Sequence, residues 1–305
     1  MGEAPQNEKA KGPPWLRPDI QSLIEWRDSD IVISVPPKSG TTWMMNIVHQ
    51  LLNGGTDQFR DVYEEVPWIE FLGDPHDTIE QVADRINAMP RSKRRAFKTH
   101  AAPPCLPYFA PNAQHDVRYI VVARNPEEAL VSFWPFFARH CDEWVDLWGM
   151  PRNALRRDTF QSFYDELVVP FGLHVRPYFD FVDAWWRLRQ NANVLFLHFA
   201  QLKRDREGSI RQVADFLDIA PGPKQWSRIF EYTSFAWMKQ HEDKFEVTSA
   251  GAVPVLERGA MLRKGQTGSA HQDGMTDPIA QELRDLSRTM NPDARAWLYT
   301  GNPPA

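Results

Sequence analysis

The chain has 305 residues, 42% hydrophobic and 25% charged, with 35 basic residues against 40 acidic and a net charge of −5. That balance fits a folded α/β protein and excludes a disordered, collagen-like or coiled-coil chain. The acidic excess argues against a dedicated nucleic-acid binder, and no apolar run is long enough to span a membrane. The polar N-terminus lacks the apolar segment of a secretion signal, so a cytoplasmic location is expected. Two cysteines, Cys105 and Cys141, cannot alone make a disulfide scaffold or a four-ligand zinc site, and both are expected to be reduced. Twelve Trp and eighteen Phe serve either core packing or a pocket for a flat apolar ligand; composition does not choose.

Residues 1 to 14 are polar and rich in Pro and Gly, and read as a flexible tail; residues 15 to 300 are expected to form one domain. The first strand is Asp30–Val35, followed by Pro36-Pro37 and a helix from Thr41. Trp43, Met44, Ile47, Val48, Leu51 and Leu52 give that helix its apolar period, and Asn53-Gly54-Gly55 closes it. Further strands are predicted at Arg95–Thr99, Val117–Ala123 and Asn193–Phe199. Asn125-Pro126 opens a helix after the third strand, and a short helix is expected around Ile210–Leu217. Strands separated by helices imply a central, mostly parallel sheet flanked by helices.

Two strand-to-helix junctions carry the chemistry. Lys38-Ser39-Gly40-Thr41-Thr42 lies between a buried strand and an amphipathic helix. The unpaired N–H groups and positive dipole of a helix start favour an anion there. Gly40 permits a sharp turn, Lys38 adds charge, and the hydroxyls add donors. The Walker pattern is absent, because Lys38 precedes Gly40 and no glycine stands upstream. The second junction, Val121 to Pro126, puts Arg124 at a strand end with Ser132 eight residues on, about 12 Å along a helix. Glu127 and Glu128 already complement that helix dipole. Two such sites in one sheet imply a ligand bearing phosphates at two separate points. A third basic element, Arg263-Lys264-Gly265, lies far downstream.

Together these elements resemble the cytosolic-type sulfotransferases, which use 3′-phosphoadenosine-5′-phosphosulfate (PAPS). The family's P-K-S-G-T-T-W loop matches Pro37 to Trp43, its R-N with a later Ser matches Arg124 and Ser132, and its R-K-G-x-x-G loop matches Arg263 to Gly268. The resemblance covers roughly residues 20 to 290 and implies a P-loop-like fold with PAPS as co-substrate and adenosine 3′,5′-bisphosphate as product. It implies that Lys38, Ser39, Gly40, Thr41 and Thr42 hold the 5′-phosphosulfate. Trp43 and Phe235 would pack on adenine with Thr233 and Met238 nearby. Arg124, Ser132, Arg263, Lys264 and Gly265 would hold the 3′-phosphate. His100 would be the base, with Lys38 and Lys98 assisting, and Trp68, Phe71 and Phe136 would wall the acceptor pocket, joined by Trp134, Trp144 or Trp148. The sequence departs from the pattern at Phe199, where a Tyr near the adenine is usual, and after Gly268, where D-W-K-N becomes Ser269-Ala270-His271-Gln272. The family's dimerisation segment is not recognisable, which leaves the oligomeric state open.

The chemistry itself asks for a deprotonated nucleophile, a stabilised leaving phosphate and in-line geometry. His100 ends a predicted strand, where ligands of parallel sheets bind, and an imidazole suits proton abstraction near neutrality. His49 reads as structural. No metal is expected, since cationic side chains can neutralise the developing charge. The expected partner is a small, aromatic or lipophilic hydroxyl acceptor. An ATP-dependent phosphotransferase and a non-catalytic nucleotide-binding protein are the competing readings.

Overall fold

The computed structural model describes residues 12–173, 175–247 and 253–302. Most of the expected tail therefore lies outside the described residues. Four short strands, β1 (Ile31–Ser34), β2 (Ala96–Thr99), β3 (Arg118–Ala123) and β4 (Val194–His198), form one parallel sheet in the order β2-β1-β3-β4. Each lies within a segment that the sequence predicts. Ile31 pairs with Ala96 on one side and Arg118 on the other, so β1 is central and buried throughout.

Strand alternation divides the core into two layers. Val32, Tyr119, Val121 and Ala123 face one apolar cluster, which is covered by helices including Pro126–Ala138 and Arg176–Leu188. Ile31, Ile33, Ile120, Val122, Leu195 and Leu197 face the other, covered by helices including Thr41–Leu52 and Arg206–Phe216. These four helices are called α2, α3, α1 and α4 respectively, in chain order α1 (Thr41–Leu52), α2 (Pro126–Ala138), α3 (Arg176–Leu188) and α4 (Arg206–Phe216). Met44, Met45, Ile47, Val48 and Leu51 of α1 are all buried, each worth roughly 1.5–3 kcal/mol against exposure. Asn125 caps α2 as predicted, its side-chain Oδ1 accepting from the Glu127 and Glu128 N–H groups.

β1 leads to β2 on one side and β3 lies on the other, which makes the gap between the carboxyl ends of β1 and β3 a topological switch point. Both predicted anion loops leave the sheet there. At the opposite end the sheet is pinned by a buried ion pair. Arg95 Nε and an Nη donate to the two Asp30 oxygens at 2.9 and 2.6 Å, and Arg95 also donates to the carbonyls of Ile86 and Glu25. Removing one partner from such a pair leaves an uncompensated buried charge. Asp30→Asn is therefore expected to lower the unfolding free energy by roughly 3 kcal/mol, read by urea denaturation. A loss below about 1 kcal/mol, the scale of an exposed pair, would show that Arg95 is held mainly by its carbonyl partners.

Candidate active site

The loop after β1 is set by two left-handed residues, Lys38 at φ +64° and Gly40 at φ +99°. Gly40 is the residue before α1, and a Cβ there would lie 2.8 Å from the Phe199 ring. Glycine is required twice over, by conformation and by space. Lys38 has no such licence, and its left-handed backbone is strain of the kind concentrated at functional loops. Tyr178 of α3 ties this loop to the one after β3. Its hydroxyl donates to the Arg124 carbonyl at 2.5 Å and accepts from the Arg124 N–H at 3.0 Å. With that proton committed, the Ser39 hydroxyl donates to Tyr178 at 3.1 Å.

Arg124 gathers the remaining pieces. It donates to the Lys38 carbonyl at 3.1 Å, to the Gln266 carbonyl at 3.0 Å and to Glu128 at 3.0 Å, while lying over the Phe199 ring at 4.8 Å. Glu128 also accepts from the Gly268 N–H, so the downstream basic loop closes onto the first two. Within that loop Asp273 holds Lys264 at 2.5 Å and Arg263 at 3.1 Å, and accepts from the Ser269 hydroxyl. Those cations keep its carboxyl below the usual range against the opposing effect of burial. Phe235 packs on Gly265, whose own Cβ would meet the ring at 2.8 Å. Asp273 directly follows the four residues, Ser269 to Gln272, that depart from the family pattern.

Lys38 is half-buried beneath Phe136, its ammonium 4.3 Å from the ring centroid. Burial, then the charges of Arg124 and Arg263, lower its pKa to about 7. Lys98, on β2, lies 3.3 Å from the Trp68 ring centroid. Burial pushes it well below the ordinary lysine value, with Glu70 opposing and Lys38 adding to the shift. Trp68 is placed by sheet pairing, since Lys98 N–H donates to the Pro67 carbonyl and Ile69 N–H to the Lys98 carbonyl. Its indole stacks on Phe71 at 5.1 Å and meets His100 edge-on at 4.9 Å. His100 Nδ1 is 2.5 Å from the Val35 carbonyl. A carbonyl only accepts, so Nδ1 carries the proton and, in the neutral ring, Nε2 carries the basic lone pair.

These groups surround a cavity of about 530 Å³. Every residue predicted for the site lines it except Ser39 and Thr233. The Ser39 side chain faces Tyr178, and the Thr233 hydroxyl donates to the Ile229 carbonyl while its own carbonyl accepts from Trp43 Nε1. Of the three added tryptophans, Trp144 lines the cavity; Trp134 instead donates to the Arg157 carbonyl and Trp148 packs on Trp15. His49 is structural as expected, buried against Phe59 at 4.4 Å. Residues that sequence reasoning missed are Tyr63, Glu70, His140, Tyr178 and Asp273. Trp15, at the predicted start of the domain, also lines the cavity and packs edge-on against Trp144 at 4.7 Å. Glu70 lies between the predicted wall residues Trp68 and Phe71, and the others lie in none of the motifs named above. Among the described residues, no group of three or more His, Cys, Asp or Glu is placed to hold a metal ion, and no helix is long and apolar enough to cross a membrane.

Comparison with known proteins gives this arrangement a family. The sulfotransferase domain model matches residues 28–293, and the chain belongs to that family. It is 27% identical to human sulfotransferase 1E1 over 256 residues, covering 82% of this chain and 80% of the relative. It is 28% identical to mouse sulfotransferase 1 family member D1 over 251 residues, covering 80% and 78%. A solved structure of mouse sulfotransferase SULT7A1 complexed with PAP shares the fold, with a TM-score of 0.68, 22% identity and coverage of 92% and 90%. Retinol dehydratase in complex with androsterone and PAP does so with a TM-score of 0.66 and 19% identity, covering 88% and 82%. The protein is a sulfotransferase, which sets the phosphotransferase reading aside.

Gly40→Ala tests the loop geometry directly. A side chain in this left-handed position, pressed on Phe199, is expected to cost about 2 kcal/mol, lowering the Tm by several degrees. An unchanged Tm would show that Phe199 yields and that the turn tolerates a Cβ.

Proposed function

We propose that the protein moves the sulfuryl group of PAPS to the hydroxyl of a small aromatic or lipophilic acceptor, with His100 as general base. The observation that carries this reading is the 2.5 Å contact of His100 Nδ1 with Val35, which leaves Nε2 as the basic nitrogen of a ring that lines the same cavity as Lys38 and Lys98. The residues fit the donor. Its two charged ends match two separate groups of cations, Lys38 with the Gly40 turn and Arg124 with Arg263 and Lys264. Gly40 and Gly265 let the Phe199 and Phe235 rings, which line the cavity, pack directly on the backbone of the two loops.

When bound, the donor supplies an activated sulfuryl group. Lys38 and the N-terminal residues of α1 would hold its 5′ end, and Arg124, Ser132, Arg263 and Lys264 its 3′-phosphate. Trp43, Phe235, Met238 and Phe199 would form the apolar surround of the adenine. His100 Nε2 accepts the proton of the acceptor hydroxyl. Lys38 and Lys98 face the charge that develops as the transfer proceeds, in surroundings dry enough to magnify their effect. Trp68, Phe71 and Phe136, which line the cavity, would wall the acceptor side. No metal has a part in this account, and a cytoplasmic location belongs to the same proposal.

Transfer of labelled sulfate from PAPS to a panel of phenols and alcohols tests the proposal. His100→Ala is expected to lower kcat by about 10²–10⁴-fold while binding of adenosine 3′,5′-bisphosphate stays within a factor of two or so. Turnover retained by the variant would remove His100 as the base.

Lys38 makes a second test. With a pKa near 7 it is largely neutral at pH 8, and an anion beside it favours the charged form. Bisphosphate binding at pH 8 is therefore expected to take up a proton, and affinity is expected to fall as pH rises from 7 to 9. Calorimetry in buffers of different ionisation heat reads the proton directly. Uptake that persists in Lys38→Met would assign it to another group.

A further inference from the structure

The proposed transfer needs a positive Lys98 in surroundings that oppose charge. Its side chain on β2 is 3% exposed, with the ammonium 3.3 Å from the Trp68 ring centroid and 5.5 Å from that of Tyr63. Burial and the charge of Lys38 both favour the neutral amine, and the acid that opposes them is Glu70. His100, two residues on, lines the same cavity and supplies no negative charge.

Glu70 is itself 5% exposed, two residues after Trp68, whose backbone pairing with Lys98 brings this segment against β2. Its Oε1 accepts twice, from Gln21 Nε2 at 2.5 Å and from the Thr99 hydroxyl. Thr99 Oγ1 in turn accepts from the Ala101 N–H, and Thr99 directly follows Lys98 in the strand. Both hydrogen bonds favour the ionised carboxylate against the effect of burial, and so does the charge of Lys98. Oε2 has no hydrogen-bonding partner among the described residues. A carboxylate buried in that way is costly unless the charge of a cation reaches it, and Lys98 is the cation that does.

We propose that Glu70 is a positioning residue for the transfer, its buried carboxylate keeping Lys98 in the charged form that the reaction uses. Glu70 does not line the cavity, so it acts through Lys98, which does. Each group stabilises the charge of the other, and the two titrate as a pair. This deepens the proposed function and rests on it for what the charge is used for.

Lysine labelled with carbon-13 at Cε, its Lys98 signal assigned by loss in Lys98→Met, reads the charge by NMR without turnover. In the native protein with adenosine 3′,5′-bisphosphate bound, Lys98 is expected to be charged at pH 7. Glu70→Gln keeps an oxygen to accept from Gln21 and Thr99 and removes the charge. Its Lys98 midpoint is expected to fall by roughly one pH unit or more, and the alkaline limb of kcat/KM to move down with it. Lys38 titrates on the same limb, so the labelled signal assigns the shift. A merely structural carboxylate would lower the Tm of Glu70→Gln and leave the Lys98 midpoint in place. That outcome would overturn the assignment, as would a neutral Lys98 at pH 7 in the native protein, which needs no variant to fold. A native protein that transfers no sulfate from PAPS would count against the proposed function, and the titration would still decide the role of Glu70.

Discussion

Cations crowded at the carboxyl ends of β1 and β3 are the constraint on which the site depends. Lys38, Arg124 and Arg263 lie close enough for the charges of the two arginines to depress the lysine, and the folded chain has to hold them together. It does so with two acids and three rings. Glu128 takes Arg124, Asp273 takes Arg263 and Lys264, and Phe136, Trp68 and Phe199 lie against Lys38, Lys98 and Arg124. The same acids fasten the loops to one another, since Glu128 also bonds Gly268 and Asp273 also bonds Ser269. A ligand with two anionic ends thereby meets cations already oriented, so less ordering remains to be done on binding.

The proposed base, His100, is tied to that arrangement through the end of β1. Val35 N–H donates to the Thr99 carbonyl, and the Val35 carbonyl receives His100 Nδ1. Ser34 Oγ donates to the Ala101 carbonyl and accepts from Trp185 Nε1. Thr99 Oγ1 donates to the buried Glu70 and accepts from Ala101 N–H, so the residues on both sides of His100 are bonded in place. Chemistry and charge therefore share one rigid sheet edge, which suits a reaction that needs groups held before substrate arrives.

Strands, their parallel order and the two junctions were legible because each rests on local pattern: a short β-rich run, a capping Asn125, a glycine at the turn. The cation set was legible because its motifs are contiguous. What escaped was assembled across the chain. Tyr178 sits on a helix 54 residues from Arg124, and nothing in Arg176–Leu188 marks its hydroxyl as a staple. Asp273 directly follows the stretch that reads as a departure from the family, and its position four residues after Ser269 returns a carboxylate to the basic pair. Ser39 and Thr233 were placed in the site by their motifs, while side-chain bonding turns both away from the cavity. Trp134 and Trp148 show that aromatic residues close in sequence to a pocket wall are divided by helix geometry. Pro135 inside α2 is a further case, since the helix continues past it to Ala138 and carries Phe136 into the site.

The central claim is that these cations form a cradle selective for a nucleotide with separate 3′ and 5′ charges. It is tested most directly by the thermal shift that adenosine 3′,5′-bisphosphate produces beside AMP and ATP with Mg²⁺. At a hundred times its dissociation constant the bisphosphate should add about 2.7 kcal/mol of stability, with AMP and ATP far behind. An equal shift from AMP, or a larger one from ATP with Mg²⁺, would show that Arg124, Arg263 and Lys264 do not read a 3′-phosphate.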